Sequence, residues 1–140
     1  SLVVRDNHAF FAHVGDSRAY LVRGPLIQQV SEDHSLVNEQ IKAGMITAEE
    51  AKHSRYKNII TRSVGFEEEV QVDVMGVVAE PGDVFLLCSD GLANMVEDRE
   101  LHEVVQSTSS LADVPKRLID LANERGGDDN ITAIVVQMST

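Results

Sequence analysis

Hydrophobic positions along the chain change period, and the change divides it into regions. Leu2 to Arg5, Ala9 to Val14 and Arg18 to Val22 read as three strands, broken by the turn-forming clusters Asp6-Asn7 and Gly15-Asp16-Ser17. Gly24-Pro25 makes another turn and Leu26 to Val30 a fourth short strand, so the opening quarter predicts an antiparallel meander. The spacing then becomes helical. Leu36, Val37 and Ile41 share one face, Gly44 ends that helix, and Thr47-Ala48-Glu49-Glu50 is a capping box opening a second. Lys52 to Asn58 is polar and aperiodic, so Ser35 to Gly65 reads as an excursion from the sheet.

Strand periodicity returns at Val70 to Val78, and Glu80-Pro81-Gly82 turns the chain into Val84 to Cys88. This five-residue apolar run is too short for a stable helix and too apolar for a solvated strand, which predicts a strand buried on both faces. Asp98 is the predicted cap of a helix bearing Leu101, Val104 and Val105. Ser110 is the predicted cap of the next, whose stripe is Leu111, Val114, Leu118, Leu121 and Ala122, with Pro115 tolerated near its first turn. Gly126 to Asn130 forms a tight turn, and Ile131 to Met138, apolar at both parities, predicts a last strand buried on both faces. Strands in a run followed by amphipathic helices and a strand predict an α+β layered domain.

Composition narrows the function. The chain has 140 residues, 43% of them hydrophobic, which suffices for one domain with a real core. A formal charge of -11 argues against nucleic acid or anionic membrane as partners. No apolar run reaches the ~20 residues a membrane helix needs. The single cysteine, Cys88, forbids an internal disulfide, reads as a core residue, and is compatible with a reducing, cytoplasmic setting. The five histidines show no His-x3-His pairing, which argues against zinc and leaves them as structural or surface residues.

Three aspartates occupy comparable places: Asp16 in the turn after a strand, Asp90 at the end of the buried run, and Asp129 in the turn before the last strand. Each alone is ordinary turn chemistry, and Asp90 reads equally as a cap for the helix that follows. If their strands are neighbours, the three carboxylates converge at one sheet edge. Hard cations such as Mg²⁺ and Mn²⁺ take such oxygen ligands, and carboxylates clustered without a cation repel one another.

These residues sit within a longer series. Val14-Gly15-Asp16-Ser17-Arg18-Ala19-Tyr20, Asp33-His34-Ser35, Ile60-Thr61-Arg62-Ser63-Val64-Gly65, Gly82-Asp83 with Ser89-Asp90-Gly91-Leu92, and Gly127-Asp128-Asp129-Asn130-Ile131-Thr132 resemble, in this order, the bacterial PPM (type 2C) metal-dependent protein serine/threonine phosphatases. The resemblance spans nearly the whole chain. It implies a layered α-β-β-α sandwich with a dinuclear Mg²⁺ or Mn²⁺ centre, and phosphoproteins, the substrates of a Ser/Thr kinase, as partners. It also implies Asp90 and Asp129 as metal ligands, Asp16 with Asp90 as ligands of a third, weaker metal, and residues 35–65 as a flap. Hydroxide bridging two cations would attack phosphorus in line. No side-chain nucleophile competes: Cys88 is flanked by apolar residues, and neither Cys-x5-Arg nor Asp-x-Asp occurs.

The chain also departs from the family pattern. Asp-Gly-x-Gly-Gly, the acidic residue before it and a phosphate-binding arginine have no counterpart, since the one Asp-Gly is Asp90-Gly91. The chain therefore resembles the carboxy-terminal part of a single phosphatase domain. It is expected to be inactive or nearly so by itself and, with open edges and apolar surface, to self-associate or require a missing half. The alternative reading is a phosphatase-like interaction module in signalling that has lost catalysis. Arg18 and Arg62 read as ion-pair or structural residues first, while Arg55, Lys57 and Arg62 are candidates for steering phosphorylated substrates.

Overall fold

The computed structural model describes residues 1–139. Among them the chain forms β1 (Leu2–Arg5), β2 (His8–His13), β3 (Arg18–Arg23), β4 (Leu26–Gln29), α1 (Leu36–Lys42), α2 (Ala48–Lys52), β5 (Asp73–Val78), β6 (Val84–Cys88), α3 (Asp90–Ala93), α4 (Asp98–Ser107), α5 (Val114–Glu124) and β7 (Ala133–Gln137). The first four strands do not form one meander. They split between two antiparallel sheets, ordered β1-β2-β5 and β4-β3-β6-β7. Asp6, with φ of 54°, closes the β1-β2 hairpin, whereas Gly15, with φ of 111°, carries the chain from one sheet to the other. Period-two spacing identifies a strand without naming its partner, which is why the crossing was not visible.

The sheets pack face to face through Ala9 and Phe11 of β2 against Ala19 and Phe85 of β3 and β6, with the two phenyl rings edge to face at 5.6 Å. On its other face the four-stranded sheet buries Tyr20, Val22, Val84, Leu86 and Cys88 against Leu92, Leu101, Val105, Val114 and Leu118 of the helices. β6 is thus buried on both sides, as its unbroken apolar run predicts. Burial pushes the Cys88 thiol up to about 12, consistent with a core cysteine.

The result is two sheets with helices on one side. The outward face of the three-stranded sheet carries Val3, Phe10, Val74 and Val78, all exposed, and the described residues place no helix over it. At one end of the sandwich Arg23 binds Asp83 at 2.7 Å, Glu80 at 2.8 Å and the Val78 carbonyl at 2.8 Å, stapling the ends of β3 and β5 to the start of β6. The opposite end is left for the acidic residues. Among the described residues no helix is long and apolar enough to cross a membrane.

Several boundaries differ from expectation. β5 begins at Asp73, because residues 70–72 make no ladder bonds with β2. Glu97, not Asp98, caps α4, since Glu97 and Glu100 form a reciprocal capping box one residue earlier. Ser110 precedes a short 3-10 turn, Leu111–Asp113, and α5 starts only at Val114 with Pro115 in its first turn. β7 is not buried on both faces: it is an edge strand, and its Ile134 opens onto a cavity of about 300 Å³ where the smaller sheet stops short. The Thr47-Glu50 capping box forms as expected.

Candidate metal centre

β3 and β6 run antiparallel, with Arg18 opposite Cys88 as their last rung at this end. Two residues past that rung on each strand stand Asp16 and Asp90, and the register therefore brings them close together. Both line a cleft of about 830 Å³ between the 35–65 excursion and the helical layer. The Asp16 carboxyl lies above its ordinary value, chiefly through burial and next through the charge of Asp90. β2, although it precedes Asp16, lies in the other sheet, so proximity comes through β3.

Asp90 does not cap α3. Ser89 holds the cap position, and its hydroxyl instead donates to the Asn130 carbonyl at 3.0 Å and accepts from the Thr132 amide at 2.9 Å. Asp90 accepts from the Gly91 amide at 2.9 Å. Gly91 then permits the closest approach in the region: a Cβ there would lie 2.3 Å from the Asn130 carbonyl oxygen. The 129–130 backbone thus rests directly on residue 91, and Asp129 arrives at the same end of the sheet as Asp90. Its carboxylate is exposed and accepts from the Asn130 amide at 2.7 Å. Among the described residues, no three or more His, Cys, Asp and Glu side chains gather closely enough to hold a metal ion. The structure brings Asp16 and Asp90 together and sets Asp129 beside them through its backbone.

At the cleft floor Arg18 grips Asp33 with Nε at 3.1 Å and Nη2 at 2.8 Å and donates to the Tyr20 hydroxyl at 3.2 Å, while Gln29 bonds Asp33 at 2.9 Å. This is the ion-pair role expected of Arg18. Arg62 is likewise engaged, with Asp73 at 2.8 Å. Of the three basic residues considered for steering phosphate, Lys57 lines the cleft and the Arg55 guanidinium lies over the Tyr56 ring. The excursion is closed at its base by the Ser35–Ile60 bridge and by amide bonds from Leu36 to Ile59 and from Thr61 to His34, both 2.9 Å.

His34 is the residue the spacing argument missed. It is buried, and it trades bonds with Gly15 in both directions: the Gly15 amide donates to Nδ1 at 3.0 Å and the His34 amide to the Gly15 carbonyl at 2.8 Å. Its place within Asp33-His34-Ser35, one of the quoted motifs, was the available signal.

A family model for protein phosphatase 2C matches residues 1–131. The chain belongs to the protein phosphatase 2C family. The protein phosphatase PhpP of Streptococcus pneumoniae is 49% identical over 138 residues, covering 99% of this chain and 56% of that protein. The serine/threonine phosphatase of S. agalactiae superposes with a TM-score of 0.92 at 43% identity, over 98% of this chain and 57% of that one. The catalytic domain of the serine/threonine protein phosphatase PstP, solved with two manganese ions, superposes at 0.89 and 34% identity, over 99% and 57%. This protein phosphatase 2C chain thus spans about half the length of the curated relatives it matches. Its donor set suits the ions the family implies: two hard carboxylates on strand ends, mutually repelling, are chemistry that a divalent cation offsets.

Proposed function

We propose that the chain is part of a Mg²⁺- or Mn²⁺-dependent phosphatase that hydrolyses phosphoserine and phosphothreonine in cytoplasmic phosphoproteins, the products of a Ser/Thr kinase. The observation that carries this reading is the approach of Asp16 and Asp90 two residues beyond the end of the β3-β6 ladder, within a chain of this family. The relatives are named as protein phosphatases, and one was solved with manganese. Asp90, Asp129 and Asp16 would supply the metal ligands. Bound at those residues, a divalent cation would supply a water of lowered pKa and offset charge on the phosphoryl oxygens.

The chain's own residues do the positioning. Ser89 fixes the strand end that bears Asp90 to the loop that bears Asp129, and Gly91 lets the two backbones meet. Lys57, on the cleft wall with Lys52, supplies positive charge for a phosphorylated substrate approaching the carboxylates of the cleft. The carboxylate total is short of a complete dinuclear set, so the 140 residues by themselves are expected to be inactive or nearly so, and residues 35–65 would act as a flap beside the cleft.

The alternative, a non-catalytic interaction module, draws on the gathering of only two carboxylates among the described residues. Assay of the intact protein on a phosphothreonine peptide with Mn²⁺ separates them. The phosphatase reading expects turnover that Asp90→Asn reduces by a factor of at least ~100. Peptide binding without turnover would replace it with the module. Turnover by the 140-residue chain alone, abolished by Asp90→Ala, would refute the incomplete-site reading.

A further inference from the structure

We infer that His34 is a positioning residue, which ties the turn bearing Asp16 to the base of the 35–65 excursion so that the two open and close as one unit. This deepens the metal-site reading above and rests on it for its meaning in catalysis.

The argument begins with one proton. The Gly15 amide can only donate, so Nδ1, which it meets at 3.0 Å, presents a lone pair. Arg62 Nη1 also stands 3.0 Å from Nε2, but a neutral ring cannot accept at both nitrogens, so with Nδ1 taken by Gly15 the ring proton sits on Nε2 and is donated to Asp73 Oδ2 at 2.9 Å, while the guanidinium directs its own proton to the same carboxylate. Asp73 is an ionised acceptor: the bond from His34, and then Arg62, hold its carboxyl below the ordinary range. Its second oxygen takes the Arg62 Nη1 proton at 2.8 Å, and the same guanidinium also reaches the Gln71 carbonyl at 3.3 Å. Main-chain groups complete the knot, for the His34 amide donates to the Gly15 carbonyl and the His34 carbonyl accepts from the Thr61 amide at 2.9 Å.

A single buried residue thus joins four places: the Gly15-Asp16 turn, the start of β5, the outgoing limb of the excursion at Ser35, and its returning limb at Thr61 and Arg62. Both ring nitrogens are spent on protein groups, and the ring is 6% exposed. It has no atom to offer a substrate. Its effect must pass through Asp16, whose backbone it grips one residue away, and through the cleft wall, whose hinge it forms.

The two ring nitrogens permit a test that separates coupling from ordinary support. A glutamine amide reaches the Nε2 position and keeps the donor to Asp73 while losing the acceptor for Gly15; an asparagine oxygen falls near Nδ1 and does the reverse. Amide hydrogen exchange in the intact protein is the primary readout. In His34→Gln, exchange at Gly15 is expected to rise at least ~10-fold, and exchange at Leu36 and Thr61 to rise with it. A rise at Gly15 with Leu36 and Thr61 unchanged would overturn the coupling. In wild type, side-chain nitrogen NMR is expected to find the proton on Nε2; a proton on Nδ1 refutes the geometry outright.

Manganese affinity by calorimetry is the second readout. His34→Gln is expected to weaken binding by ~10-fold or more, as loss of an outer-layer bond does, and His34→Asn to weaken it less. If His34→Gln fails to fold, Asp73→Asn removes the other anchor and is expected to raise exchange at Gly15 and Thr61 together; independent behaviour there sinks the idea. Absence of Mn²⁺ binding in wild type would remove the metal reading, while exchange would still decide whether His34 couples the two regions.

Discussion

Asp16 and Asp90 each stand two residues beyond the Arg18–Cys88 rung that ends the β3-β6 ladder, Asp16 in the turn before β3 and Asp90 at the start of α3, near enough for the charge of Asp90 to raise the Asp16 carboxyl. Each carboxylate adjoins a strand that cannot slip without moving its apolar residues to the wrong face, so the pair is held together by the core rather than by its own attraction. Like charges kept close in this way store repulsion that a cation relieves.

Replacing one member should therefore act in opposite directions with and without metal. Asp90→Asn is expected to stabilise the metal-free protein, because it removes the charge that, after burial, raises the Asp16 carboxyl. It should abolish the stabilisation by excess Mn²⁺, which at a hundredfold over Kd amounts to about 2.7 kcal/mol. Thermal melts with and without Mn²⁺ check both signs. Because the Asp16 carboxyl is raised, the metal-free fold binds more protons than the unfolded chain just above the ordinary carboxylate value, and stability should fall as pH rises through that window.

At the far end of the sandwich the sign reverses. Asp83 is held below the ordinary carboxylate value, first by Arg23. Its contribution is present above the unfolded value of about 3.9 and lost as pH falls through the folded one. Asp83→Asn is expected to cost about 1–3 kcal/mol at neutral pH. It should also flatten the acid limb of a stability-versus-pH curve measured by urea unfolding.

Gly91→Ala places a methyl group against the Asn130 carbonyl, 2.3 Å away in the present backbone. The 129–131 segment must shift, at a cost of about 1–3 kcal/mol. The same substitution should weaken Mn²⁺ binding although no carboxylate is removed, and calorimetric titration against wild type checks this. Unchanged affinity would detach Asp129 from the site.

The bare outer face of the three-stranded sheet should drive association of the 140-residue chain. Gel filtration across concentration is expected to show oligomers, and Phe10→Lys with Val74→Lys to shift them toward monomer. A wild-type chain that stays monomeric at high concentration would refute this.

What could be read from the residues followed from which physics is local. The β6 run, the Thr47 capping box and the turns at Gly15 and Gly82 are local matters of burial, hydrogen bonding and backbone freedom, and they stand in the structure as read. Sheet membership is not local: nothing within residues 2–13 says that β2 pairs with β5, more than sixty residues on, rather than with β3. His34 escaped for the same reason, because Gly15 and Asp73, the partners of its two ring nitrogens, lie far apart in the chain and give no spacing signal. Asp16 and Asp90 were recognisable as strand-end carboxylates, but their meeting depended on the β3-β6 register. The Ser110 and Asp98 caps failed by small margins, where a 3-10 turn and a competing Glu97-Glu100 pair intervened.

The excursion leaves the sandwich at Ser35 and rejoins it at Ile60, and those two residues bridge. An insert suspended from so narrow a neck imposes almost no length or sequence requirement on the strands that carry it. A loop-and-helix cassette hung this way can vary in its interior and redraw what the cleft admits, provided its neck at Ser35 and Ile60 and the His34 contacts beside it are kept.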